Sequence, residues 1–303
     1  MSKTIVFGGS GLLGETILQK YPNLISVGRT IPKNFKKHIP IKDTSDLSIL
    51  DGMEFDSVIF LIGNSNHHLI NTAELNGIDY NVKPLFEALT YMKTRNLKKF
   101  ICLTSILLYG TEPKGRAVNE QDEIFPLQKG NAYLFSKYLA EQVVEFFKDD
   151  VPVINIRMSN VYGATDLIRP DLIPTLVLDS ITKENPTVWN KTPVRDFIFA
   201  EDAAEAMLAL IETDYTGNVN LGSGTMSSVG DVCDILEKLS GKKIDSLNIP
   251  VSGVMKFQTD ISLLKNLTGW LPKHNLVEGL TKSFGIMKKS LLLKNEIADK
   301  TSN

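Results

Sequence analysis

Apolar and polar positions fall into blocks along the first half of the chain, and each block has the length of a strand or a helix. The run Thr4-Ile5-Val6-Phe7 is short, apolar and β-branched, whereas residues 12–21 space their apolar side chains along one helical face. A second strand is expected at 24–27. Residues 57–62 form a continuous apolar run, the mark of a strand covered on both faces. An amphipathic helix is predicted at 80–94, a strand at 99–103, another helix at 132–147 and a strand at 153–156. This alternation predicts an α/β fold, a Rossmann-type doubly wound parallel sheet. Beyond residue 160 the rhythm breaks: Pro170, Pro174, Pro186 and Pro193 punctuate the chain and the strands stand alone. That change predicts a first domain over 1–160 and a smaller C-terminal substrate-binding lobe over 161–303, with the strand-then-helix segment 196–212 returning to the first domain. The polar tail after Leu293 is expected to fray.

Composition mainly excludes. With 43% hydrophobic and 22% charged residues the chain is an ordinary globular protein. A formal net charge of −2 gives no electrostatic reason to expect nucleic acid or an anionic membrane as partner. Cys102 and Cys233 cannot build a disulfide framework, and Cys102 lies in an apolar run that marks it as core. His38, His67, His68 and His274 lack ligand spacing, so no metal site is expected. No charged-then-apolar leader precedes the first strand, and apolar stretches such as 58–62 are far too short to span a bilayer. The expectation is a cytoplasmic protein.

Chemistry enters at Gly8-Gly9-Ser10-Gly11-Leu12-Leu13-Gly14, directly after the first strand and opening the first helix. The glycines permit a tight turn and close backbone approach, while the helix start offers amide donors and a positive dipole to a pyrophosphate. At the end of the second strand an acidic residue would hold the adenosine ribose of NAD; here the chain reads Gly28-Arg29. Without that carboxylate a 2′-phosphate is not repelled, and Arg29 can stack on adenine and pair with the phosphate. NADP(H) is therefore the expected cofactor, with NAD(H) the alternative.

Tyr133 and Lys137 are four residues apart on the predicted helix, so a phenol and an ammonium share one face. The cation stabilises phenolate and brings the phenol towards acid–base work at neutral pH. Ser105 stands just past the strand that precedes this helix, where its hydroxyl can donate to a carbonyl oxygen as charge develops.

These pieces, with Leu61-Ile62-Gly63, Asn81-Val82, Leu108-Tyr109-Gly110, Asn160-Val161-Tyr162-Gly163, Arg195-Asp196-Phe197-Ile198 and Asn220-Leu221-Gly222, resemble the extended short-chain dehydrogenase/reductases of the nucleotide-sugar epimerase/dehydratase group. The resemblance implies that Ser105, Tyr133 and Lys137 are catalytic, with Ser105 and Tyr133 on the reacting sugar oxygen. It implies that Gly8, Ser10, Gly11, Leu12, Leu13, Gly14, Arg29, Asp43, Leu61, Gly63, Asn81, Tyr133 and Lys137 serve the dinucleotide, Asp43 at the adenine and Lys137 at the nicotinamide ribose. Asn160 and Arg195 match positions that contact the nucleotide diphosphate of the substrate, and the two long helices match a homodimer interface. Two departures matter. Dehydratases of the group carry Asp-Glu after the catalytic hydroxyl residue, where this chain has Ile106-Leu107, so dehydration is not expected. Many members also carry Arg-Pro-Gly where this chain has Val251-Ser252-Gly253. The leading expectation is an NADPH-dependent reductase of a nucleotide-linked keto-deoxy sugar, with the 4-keto position favoured. The alternatives are an NAD-dependent C4 epimerase and a catalytically silent dinucleotide-binding relative.

Overall fold

The computed structural model describes residues 3–73, 75–110, 115–124, 131–163, 171–251 and 255–301, with side chains as far as residue 293. Its centre is a seven-stranded parallel sheet. In chain order the first part contains β1 (Thr4–Phe7), α1 (Leu12–Lys20), β2 (Ile25–Gly28), β3 (His38–Pro40), β4 (Ser57–Phe60) and α2 (His67–Thr72). It continues with α3 (Leu75–Gly77), α4 (Lys83–Met92), β5 (Lys99–Ser105), α5 (Ala132–Phe147) and β6 (Val153–Met158). Then come β7 (Asn160–Tyr162), α6 (Leu172–Thr182), β8 (Thr187–Val188), β9 (Val194–Arg195), β10 (Phe197–Phe199) and α7 (Ala200–Ile211). Last are β11 (Gly217–Leu221), β12 (Ser227–Ser228), α8 (Val229–Ser240), β13 (Asp245–Ser246), α9 (Ser262–Thr268) and α10 (Leu276–Thr301).

The sheet runs β11-β6-β5-β4-β1-β2-β3. Alternation along each strand explains the continuous apolar runs. Ile5, Phe7, Val58, Phe60, Phe100 and Cys102 face α4 and α5, whereas Val6, Ile59, Ile101, Ile154 and Ile156 face α1 and α7. Both faces are core, so apolar residues occupy both parities. Phe7, Phe60 and Phe100 continue across three neighbouring strands, with successive ring centroids 5.5 and 5.8 Å apart. The chain order reverses between β1 and β4, and their carboxyl ends open a crevice there.

The helix at 132–147 lies where its periodicity places it. Within 196–212 α7 packs on α1 and Ile198 enters the same core, although β10 pairs with β7 outside the main sheet. Two expectations shift. The strand at 217–221, assigned by its isolation to the C-terminal lobe, pairs along β6 and completes the main sheet. The backbone after Leu293 stays helical to Thr301, where polarity predicted fraying. The smaller lobe has its own core, in which Ile173, Leu176, Val177, Val232, Leu236, Leu280 and Phe284 join α6, α8 and α10.

A polar network crosses beneath α5. The carboxylate of Glu141 accepts from Arg157 Nε at 3.0 Å, from Arg157 Nη2 at 2.8 Å and from the Thr104 hydroxyl at 2.8 Å. Arg157 Nη1 donates to the Tyr109 hydroxyl at 2.8 Å, and that hydroxyl donates to Asn220 Oδ1 at 2.8 Å. Both members of the ion pair are almost wholly enclosed, with 5% and 6% of their side-chain surface exposed. Arg157→Met strands a buried carboxylate, so a loss of about 3–5 kcal/mol is expected in urea denaturation. Adding Glu141→Gln to that variant is expected to recover part of it.

Candidate active site

The site is built on loops leaving the carboxyl ends of β1, β4, β5 and β6. After β1, Gly8 turns with φ +79°, and a Cβ on it would stand 2.9 Å from the Leu61 carbonyl carbon of the loop after β4. A Cβ on Gly14 would lie 2.4 Å from the Gly8 carbonyl oxygen. The turn is thus pressed between its own helix and the neighbouring loop, a fit that only glycine allows at these two positions. No side chain caps α1 at Gly11. The amides of its first turn lack intrahelical acceptors and, with the helix dipole, suit an anion. This cradle fits the pyrophosphate of a dinucleotide.

Opposite it, Asn81 sits in a π-helical turn, Ile78–Val82, in which the Lys83 N–H donates to the Ile78 carbonyl. Its side chain bridges two elements: Oδ1 accepts from Asn64 N–H at 2.8 Å and Nδ2 donates to Ser136 Oγ at 2.9 Å. Ser136 Oγ in turn donates to the Tyr133 carbonyl at 2.7 Å. Asn81 therefore ties the loop after β4 to the helix that carries Tyr133 and Lys137.

The Lys137 ammonium lies 5.9 Å from the centroid of the Tyr133 ring and 3.5 Å from the Leu103 carbonyl. Burial pushes its pKa down to about 8. Ser105, expected just beyond β5, is the last residue of that strand and caps the short turn behind it, its Oγ accepting from Leu107 N–H at 3.2 Å. That bond uses the oxygen and leaves the O–H to donate. One cavity of about 710 Å³ is lined by Gly8, Ser10, Gly11, Leu12, Leu13, Gly14, Leu61, Gly63, Asn81, Ser105, Tyr133, Lys137, Asn160 and Arg195. Asn160 Nδ2 donates to the Asp196 carbonyl at 3.1 Å. Arg195 donates to the Val194 carbonyl at 3.1 Å, and among the described residues no carboxylate pairs with it. Burial lowers the Arg195 pKa.

Arg29 and Asp43 stand outside this lining and are exposed. The Asp43 carboxylate accepts from the amide and hydroxyl of Ser45, which lower its pKa. Ser252 and Gly253 lie outside the described residues.

A family model described as the NAD-dependent epimerase/dehydratase family matches residues 4–222. The chain belongs to this family. Among curated members, a UDP-glucuronate 4-epimerase of Thermodesulfobacterium geofontis is 28% identical over 230 residues, 73% of this chain and 68% of that protein. Among solved structures, MoeE5 in complex with UDP-glucose and NAD superposes with a TM-score of 0.84 at 20% identity, covering 95% of this chain and 99% of that one. RMD from Pseudomonas aeruginosa complexed with NADPH gives 0.82 at 17% identity, covering 96% and 100%. At these identities the two structures establish the shared fold, and their ligands include both NAD and NADPH.

For this family member, sequence reasoning missed His67 and Asp171, which also line the cavity. The available signal for His67 was position: it follows the carboxyl end of β4, where parallel sheets bind their ligands. No helix among the described residues is long and apolar enough to cross a membrane.

Lys137 titrates near 8 when folded, against an ordinary 10.5. Between these values the unfolded chain holds the proton and the folded chain does not, so stability rises with pH. Denaturant titrations of the dinucleotide-free protein are expected to show wild type gaining on Lys137→Met from pH 8 to 10.5; a constant difference contradicts the enclosed ammonium.

Proposed function

We propose that this chain is an NADPH-dependent reductase of a nucleotide-linked keto-deoxy sugar, acting at a ring carbonyl, with C4 the favoured position. The observation that carries the reading is the convergence of Ser105, Tyr133 and Lys137 on one cavity with the glycine cradle, while Ile106 and Leu107 follow Ser105. With two aliphatic side chains there, the positions that follow Ser105 offer no carboxyl couple to eliminate water.

Each residue has a task its surroundings support. Tyr133 is the proton source for the carbonyl oxygen. Lys137, four residues on, favours the phenolate left behind through its positive charge. Ser105 keeps its O–H for the same carbonyl oxygen and offsets the charge that develops on it. Arg195, with no carboxylate partner among the described residues, is suited to a nucleotide diphosphate. Gly8, Ser10, Gly11, Leu12, Leu13, Gly14, Leu61 and Gly63 would hold the dinucleotide, which when bound supplies the hydride. Asn81 positions the loop and helix around it. Gly28, at the end of β2, presents no carboxylate to a 2′-phosphate, and Arg29 beside it is free to reach one.

The direct test follows NADPH absorbance with a panel of nucleotide-linked 4-keto-6-deoxy sugars; no oxidation with any of them overturns the reading. Tyr133→Phe is expected to lower kcat by roughly 10²–10⁴-fold, the range for a lost general acid, and to leave dinucleotide binding intact. A Cβ at Gly28 would meet only Gly8 N, at 3.8 Å, so Gly28→Asp adds no clash at its Cβ. Its carboxylate is expected to shift the NADPH/NADH affinity ratio towards NADH by at least about tenfold, or about 1.4 kcal/mol. A second reading, C4 epimerisation with retained NAD, is favoured by the 4-epimerase among the relatives. It requires a dinucleotide that survives purification and is not consumed.

A further inference from the structure

The helix that carries the proposed proton donor is gripped from one side by α2. The His67 imidazole lies almost flat on the Tyr133 ring, with centroids 3.8 Å apart and planes inclined by 26°. One turn along, Asn71 Oδ1 accepts from the backbone N–H of Tyr133 at 3.1 Å. Ile70 and Leu107 pack against the same tyrosine. Under this cover Tyr133 is only 6% exposed, whereas His67 is exposed and lines the cavity. The imidazole therefore forms the outer wall between the phenol ring and solvent.

We propose that His67 is a positioning residue for Tyr133: neutral, it fixes the phenol by stacking, and protonated, it leaves the ring and releases Tyr133. The inference rests on Tyr133 being the proton donor.

The charges around His67 make its two states unequal. Lys137 on α5 faces it with a positive charge, and Asp171 at the head of α6 with a negative one. His68 is its titratable neighbour on α2, and α3 (Leu75, Asn76, Gly77) adds no charge. Although the residue opens on the cavity, the protein packed around its ring is the largest influence and favours the neutral form; Asp171 opposes it and Lys137 reinforces it. The imidazole is thus held below its ordinary range and is neutral at physiological pH. The surroundings of the stacked ring thus make protonation harder there than in water, so the imidazolium favours leaving the stack.

Two measurements test this. With histidine-labelled protein, the resonance lost in His67→Phe identifies His67 among the four histidines. An upfield, ring-shifted position at neutral pH that relaxes on acidification, with a midpoint below 6.5, supports the proposal. An unshifted resonance, or a midpoint at or above 6.5, overturns it. In turnover, His67→Phe keeps a flat ring without a titrating group. It is expected to hold kcat within about twofold of wild type at neutral pH and to lose the acid limb of the kcat profile. His67→Ala is expected to lower kcat at least about tenfold with the dinucleotide KM unchanged, as for a misplaced reacting group. Equal activity of all three proteins, or an acid limb retained in His67→Phe, overturns the proposal. The resonance arm needs no substrate, so a failed sugar panel would sink the reductase reading and still leave the stack to be decided.

Discussion

Glu141 and Arg157 form an ion pair almost devoid of solvent, and the placement of the chemistry depends on it. Tyr133, Lys137 and Glu141 follow one another at four-residue spacing along α5, so the face that presents the phenol and the ammonium to the cavity is also anchored beneath the sheet. Thr104 on β5 and Arg157 on β6 hold that carboxylate from two neighbouring strands. Through Tyr109 the same network reaches Asn220 on β11. A helix held by apolar packing alone can slide or roll by small amounts, because apolar contacts are non-directional. A bidentate ion pair in a dry environment tolerates much less displacement. The pair is best understood as fixing the register of α5 on the sheet, since buried ion pairs contribute little net stability.

What could be read from the chain followed from local pattern. Two-sided burial makes consecutive positions of β1, β4 and β5 apolar (5–7, 58–60 and 100–103), and such runs are visible without knowing their neighbours. The glycine turn was legible because its geometry is local, and α5 because its apolar face is regular over its 16 residues. What escaped was decided by distant partners. Nothing within Gly217-Asn218-Val219-Asn220-Leu221 says that it completes the main sheet, because that depends on the edge of β6 being open. Glu141 reads as a solvent-facing residue on a helix until Arg157 is found beneath it. His67 sits in a polar stretch, Asn64 to His68, with no periodicity to set it apart; only its stacking on a residue 66 positions later in the chain gives it a role.

The candidate site divides its labour between the two halves of the molecule. The first domain supplies the cradle and the proton-handling side chains, and the segment from β7 to β9 supplies Asn160 and Arg195. The bond from Asn160 Nδ2 to the Asp196 carbonyl ties β7 to the chain joining β9 and β10. Asp196 itself is fully buried, accepting from the amides of Ser223 and Gly224 at 2.7 and 3.1 Å. The guanidinium next to it in sequence is thereby presented by a rigid support, although the lobe is made of short strands.

The π-helical turn at Ile78–Val82 carries a consequence of another kind. Wherever helices meet a flexible loop, evolution can usually add or remove a residue at little expense. Here one residue fewer would turn the segment into regular α-helix and swing Asn81 about 100° around the axis, away from both Asn64 and Ser136. The residue count of the turn Ile78–Val82 is therefore a fixed dimension of the protein, and variation within it is confined to which side chains it bears.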